Sequence, residues 1–169
     1  MAESEAWVQA LPHFHCFGCD PDHPKGLRLG FDVAGPDRLR TEFAFPGEYV
    51  GPGRFVHGGI ITTVFDELME WCLLRFRRHL HVTVQMEQRF RHPIFTDTPL
   101  IGEAVIVEDL PNGRVRLAAT LVAARDPGTI LAETSALFVR TPPALLDLIP
   151  REQRTEMGTL LSTFTQMNP

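Results

Sequence analysis

The chain predicts an α+β domain in which a curved antiparallel sheet wraps one long helix, and three observations predict it. Beyond His57 an apolar run has helical spacing, with Ile61, Val64, Leu68 and Cys72 or Trp71 recurring every three to four residues. From His81 onward the chain alternates or runs apolar between turn signals, which is how strands joined by short turns read. The order is strands, one helix, then about four more strands, so a sheet must fold onto that helix rather than alternate with several.

Taken in order, the first 26 residues are crowded with His, Cys, Pro, Asp and Gly and read as an irregular leader. Leu27 to Val33 can form a strand, Gly35-Pro36-Asp37 turns the chain, and Leu39 to Phe45 can return it. Pro46-Gly47 and Gly51-Pro52-Gly53 then make a loop that delivers the chain to His57. The helix is expected from about Gly59 to Arg75 or beyond, with Glu67, Glu70 and Arg77 on its other flank. His81 to Phe90 alternates, placing Val82, Val84, Met86 and Gln88 on one face and Thr83, Gln85, Glu87 and Arg89 on the other. His92-Pro93 and Asp97-Thr98-Pro99 interrupt it. Leu100 to Leu110 and Arg114 to Arg125 flank Pro111-Asn112-Gly113 as a hairpin, since Asn-Gly suits a tight turn. Asp126-Pro127-Gly128 marks a second turn before Ile130 to Val139, and Thr141-Pro142-Pro143 stops the last strand. The division expected is a leader over 1–26, a domain over 27–141 and a tail over 142–169. The tail has room for a helix around Leu145 to Leu148 or Met157 to Phe164. One helix cannot cover both faces of such a sheet, so the far face is polar or another subunit covers it, and an apolar content of 44% favours association.

Composition excludes several function classes. With 16 basic against 21 acidic residues and a net charge of -5, there is no basic footprint for nucleic acid. No segment approaches 18 uncharged apolar residues, so no membrane span is expected. The start, Met1-Ala2-Glu3-Ser4-Glu5, is acidic rather than signal-like, and three cysteines argue against a disulfide framework, which makes a cytoplasmic setting the default. Twelve Phe against one Tyr and two Trp read as core and pocket lining.

The chemistry concentrates at His57-Gly58-Gly59. Two glycines let backbone approach a ligand closely, and a helix starting there aims its free N–H groups at whatever sits against them. Asp66 lies two turns further, about 10 Å along the axis at 1.5 Å per residue. That arrangement is expected to offer backbone donors for a developing oxyanion, with a carboxylate within reach of the group being attacked.

The pattern Gly53-Arg54-Phe55-Val56-His57-Gly58-Gly59-Ile60-Ile61-Thr62-Thr63-Val64-Phe65-Asp66-Glu67 resembles the helix start of hotdog-fold thioesterases of the phenylacetate-pathway type. Thr83-Val84-Gln85-Met86-Glu87-Gln88-Arg89-Phe90-Arg91-His92-Pro93-Ile94 is similar to the strand that follows in that family. Cys16-Phe17-Gly18-Cys19-Asp20-Pro21 with Gly26-Leu27-Arg28-Leu29 looks like a leader found in one branch. The resemblance implies a hotdog fold, a homodimer or dimer of dimers with interfacial active sites, and hydrolysis of acyl-coenzyme A or sometimes an acyl carrier protein, with no metal or bound cofactor. It implies Asp66 as the catalytic carboxylate, the Gly59 N–H as the donor to the thioester carbonyl, His57 and Gly58 as shaping the turn, and Thr83 as the hydroxyl that positions water. Many members carry an Asn or Gln ahead of the turn, where this chain has Gly51-Pro52-Gly53-Arg54-Phe55. If water needs that amide, another group must take its place.

Asp66 can act as general base toward water or attack directly and form an anhydride, with the general base preferred. Glu67 points some 100 degrees away around the helix and is expected to form a structural ion pair. His57 has no Ser or Cys partner arranged for it and is expected to hydrogen-bond at the turn. Coenzyme A carries phosphates, for which Arg54, Arg89 and Arg91 are candidates, while Phe55 borders the acyl group. In the leader, His13, His15, Cys16, Cys19 and His23 have zinc-like spacing, but the second half of such a site is poor, so packing over the acyl or coenzyme channel is preferred. Two other readings remain open: a hydratase or dehydratase on the same fold, which needs His57 or His81 against Asp66, and a non-catalytic acyl-CoA-binding protein.

Overall fold

A computed structural model describes residues 11–167, so the acidic stretch 1–5 and the first residues of the leader lie outside the described part. Six strands form one antiparallel sheet: β1 (Asp32–Gly35), β2 (Arg38–Phe43), β3 (His81–Phe90), β4 (Leu100–Leu110), β5 (Arg114–Ala123) and β6 (Asp126–Arg140). Their order across the sheet is β1-β2-β4-β5-β6-β3. The first long helix, α1 (Gly58–Arg77), packs against β2, β3, β4 and β5. This is the α+β hotdog architecture: one helix inside a wrapped sheet.

Why α1 forms is visible in its residues. Ile61, Val64, Phe65, Leu68, Met69, Trp71, Cys72, Leu73 and Leu74 are buried, a stripe too broad for any position except the centre of the domain. Trp71 stacks on Phe31 with ring centroids 5.3 Å apart, and Leu39, Leu100, Leu117, Leu121 and Phe138 close around them from the sheet. At the C-terminus Arg78 turns left-handed (φ 58°) and its N–H bonds the Leu73 carbonyl at 3.1 Å. Arg77 then grips Asp37 (2.7 Å) and Asp109 (2.8 Å), tying the helix end to the β1–β2 turn and to β4.

The structure differs from the sequence reading in three places. Leu27 to Phe31 is not a strand, because the Leu27 and Leu29 N–H groups bond Phe17 O (2.8 Å) and Gly18 O (2.9 Å) in the leader, and Arg28 is left-handed (φ 54°). Asp126-Pro127-Gly128 belongs to β6; Ala123 pairs with Asp126, leaving Ala124-Arg125 as the turn. In β3 the register against β6 shifts between Thr83 and Gln85, so Val84 leaves the inner face and is 52% exposed.

The tail forms a short turn of helix, α2 (Pro143–Leu146), and then α3 (Arg151–Met167), whose Met157, Leu160 and Phe164 are buried against α1. The leader is fastened to α3. His13 pairs with Glu156, its N–H reaches the Glu156 carboxylate at 3.2 Å, and Gln153 donates to its carbonyl at 2.8 Å. Among the described residues no helix is long and apolar enough to cross a membrane.

Candidate active site

The N-terminus of α1 is set by two backbone bonds and one side chain. Val56 N–H bonds Ile94 O (2.9 Å) and His57 N–H bonds Tyr49 O (3.0 Å), which holds the approaching loop. His57 is extended (φ −64°, ψ 130°), and its Nδ1 accepts the Gly59 N–H at 3.0 Å, capping the helix. Nδ1 of the ring is therefore the acceptor that occupies the Gly59 N–H. Gly58 lies close under the Phe90 ring: a Cβ there would stand 3.3 Å from it.

Two turns along α1, Asp66 reaches the edge strand. Thr83 Oγ1 donates to Asp66 Oδ1 at 2.5 Å, and both residues are exposed. Thr83 sits at the β3 register shift, which aims its hydroxyl at the helix. Beside it, Thr62 Oγ1 donates to Gln88 Oε1 (2.9 Å), and the Gln88 Nε2 is buried without a partner. Sequence reasoning passed over Gln88, although its inward place in the β3 alternation was visible.

A cavity of about 360 Å³ opens next to Gly58, lined by Phe55, Val56, Ile61, Phe90, Arg91 and Ile94 among others. Phe55, Gly58 and Arg91 thus share one cavity, and Phe55 also packs on Phe95 with centroids 5.1 Å apart. Arg91 is held by Glu133 (Nε to Oε1, 3.2 Å), whose partner across the β3–β6 ladder is Arg89, two residues earlier. Arg54 and Arg89 are not brought into this cavity; they pair with Asp97 (3.9 Å) and Glu87 (3.1 Å) at the surface.

Neither histidine meets Asp66. His57 turns back to Gly59, while the buried His81 bonds the His79 carbonyl through Nδ1 at 2.9 Å. Burial pushes the His81 pKa down. The His81 N–H instead holds Glu70 Oε1 at 3.0 Å, and burial raises the Glu70 carboxyl well above its ordinary range. Glu67 is not in an arginine pair: Trp71 Nε1 donates to its Oε1 at 3.0 Å and the Cys16 thiol lies against it.

Residues 53–108 match the sequence model of the family described as the thioesterase superfamily. Among solved structures, a thioesterase superfamily protein aligns with a TM-score of 0.66 at 18% identity, covering 74% of this chain and 60% of that one, so this chain spans three fifths of that relative's length. Thioesterase superfamily member 2 from Mus musculus aligns at 0.65 and 14% identity, covering 81% of this chain and 96% of that one. The PaaI protein from the phenylacetic acid degradation operon of E. coli aligns at 0.62 and 13% identity, covering 70% and 83%.

Proposed function

We propose that this chain, a member of the hotdog-fold thioesterase superfamily, hydrolyses the thioester of acyl-coenzyme A to a free acid and coenzyme A. The observation that carries the reading is the exposed Asp66, held by Thr83 of β3 and lying on the same helix that begins at His57-Gly58-Gly59. Thr83 occupies one oxygen of the carboxylate and fixes its direction, leaving the other free to take a proton from water. The acyl oxygen lies against the Gly59 N–H, where charge develops as water adds. That N–H already donates to His57 Nδ1, so the acyl oxygen shares the donor with the ring or displaces it. The departing thiol has a pKa of about 8.5 and leaves as thiolate without an acid.

Asp66 stands about 10 Å beyond Gly59 along α1, too far for both to serve one carbonyl. Two copies solve this: Gly59 of one subunit works with Asp66 of the partner subunit, and each dimer holds two sites. The ten-residue edge strand β3 supplies the contact. In this arrangement Arg91, Phe55 and Gly58 line the substrate channel, with Arg54 and Arg89 toward the coenzyme phosphates. Gln88 Nε2 supplies the amide missing ahead of the turn. The hydratase reading has less support, since it needs an imidazole against Asp66 and Thr83 stands there.

The test is free-thiol release from benzoyl, phenylacetyl, acetyl, hexanoyl and palmitoyl coenzyme A, with Asp66→Asn alongside. The substitution is expected to lower kcat at least about 100-fold while leaving the fold intact. Near-normal release by the variant would remove Asp66 from the mechanism. Absence of release from every substrate at stoichiometric protein would move the chain to the acyl-CoA-binding reading.

A further inference from the structure

On another face of α1, one residue beyond Asp66, the leader brings two thiols to a carboxylate. The Cys16 Sγ lies 3.4 and 3.5 Å from the two oxygens of Glu67. Sγ of Cys16, Sγ of Cys19 and a Glu67 oxygen all lie within 4.8 Å of one another, half-buried to buried. We propose that Cys16, Cys19 and Glu67 form a divalent-metal site of zinc type, which fastens the leader to α1.

Three observations carry it. The first is dimension. A tetrahedral ion with Zn–S of about 2.3 Å and Zn–O of about 2.0 Å has an S···O edge of about 3.5 Å, and the Cys16–Glu67 separation equals that edge. The second is how firmly the loop is seated. A Cβ on Gly18 would lie 2.4 Å from the Glu67 carboxyl and would push that carboxylate away from the two cysteines. Phe17 O and Gly18 O are taken by the Leu27 and Leu29 N–H groups, and Asp20 N–H bonds Cys16 O at 3.1 Å, closing the loop on itself. Trp71 Nε1 orients the carboxylate from behind, as outer partners do for metal ligands. The third is an open side. A cavity of about 540 Å³ adjoins both cysteines and is lined also by His15, Asp20 and His23; it admits the ion and supplies water as fourth ligand.

The donor set selects the ion: two thiolates exclude magnesium and calcium and favour zinc. Binding is balanced in charge and protons, since one dication replaces two thiol protons, which leave to solvent. The ligand the leader lacked is Glu67, from 48 residues beyond Cys19, whereas the leader histidines go elsewhere. His13 goes to Glu156, His15 lies 3.5 Å from Asp20, and the His23 ring packs edge-on to Phe17.

The test uses the untagged full chain, expressed with zinc and purified under reducing conditions without chelator. Metal analysis is expected to give about one zinc per chain, falling at least tenfold in Cys16→Ser/Cys19→Ser and weakened in Glu67→Gln, with Cys72→Ala unchanged. Zinc-edge X-ray absorption is expected to show two sulfur and two oxygen scatterers at about 2.3 and 2.0 Å. Should the variants fail to fold, the unaltered protein is stripped and titrated with zinc against a chromophoric chelator, where one-to-one binding tighter than micromolar sustains the proposal. Weaker binding, zinc retained by the double variant, or a Cys16–Cys19 disulfide in freshly purified reduced protein overturns it.

Discussion

The ring of His57 decides how much of the α1 N-terminus is open to a ligand, because its Nδ1 occupies the Gly59 N–H. His57→Ala removes the cap and is expected to lower stability by about 1 kcal/mol in urea denaturation, while His57→Asn, which also caps, keeps most of it. Equal losses in both variants would assign the histidine a role other than capping. His57, Gly58, Gly59 and Asp66 are legible from the sequence because helix periodicity and two glycines fix their places within one local segment. Thr83 follows from strand alternation, although the register shift that turns it to Asp66 does not. The partners of Arg91 and Glu67 are invisible in the sequence: Glu133 reaches Arg91 through strand pairing, and Cys16 reaches Glu67 through a leader that folds back.

At the scale of elements, the contact between α1 and β3 carries opposed titrations, Glu70 on the helix and His81 on the strand. Glu70 has a raised pKa because it is buried, opposed by the His81 N–H. The folded state therefore holds a proton that the unfolded chain has lost above the ordinary 4.5, and stability falls as pH rises from there through the raised value. Burial lowers His81, so the unfolded chain binds its proton first, and this contribution to stability is lost as pH falls below the ordinary 6.5. Glu70→Gln, a neutral isostere, is expected to match the native protein in urea at pH 4 and to exceed it at pH 8. Equal stability at both values would place the Glu70 carboxyl in contact with water. Elements with strong local patterns, α1, β3 and β4, are legible to within a residue or two. Leu27 to Phe31 misleads because its hydrogen bonds go to a loop 10 residues back in the chain, which no local alternation records.

For the whole molecule, the sheet has unequal edges: four residues of β1 on one side and ten of β3 on the other. A long unpaired edge is a template for another strand, and β3 also carries Thr83. The chain is therefore expected to sediment at twice its own mass. Val84→Lys with Glu87→Lys, which sets like charges against each other across a twofold contact, is expected to yield a monomer with thiol release lowered at least about 100-fold. A fully active monomer would place Gly59 and Asp66 of one chain in one site after all. The wrapped architecture is legible from element order alone, whereas the clasp between leader and α3 is not, since it joins residues 143 positions apart.

That clasp bears on how the chain is made. Residues near His13 leave the ribosome long before Gln153 and Glu156 exist. At 5–20 residues per second the delay is roughly 7–30 s. Throughout that interval His13 has no α3 to be clasped by, and Leu11 beside it belongs to a core that is still incomplete. The leader is synthesised well before α3 and is among the last parts to settle, so its two cysteines pass through the nascent stage unsheltered.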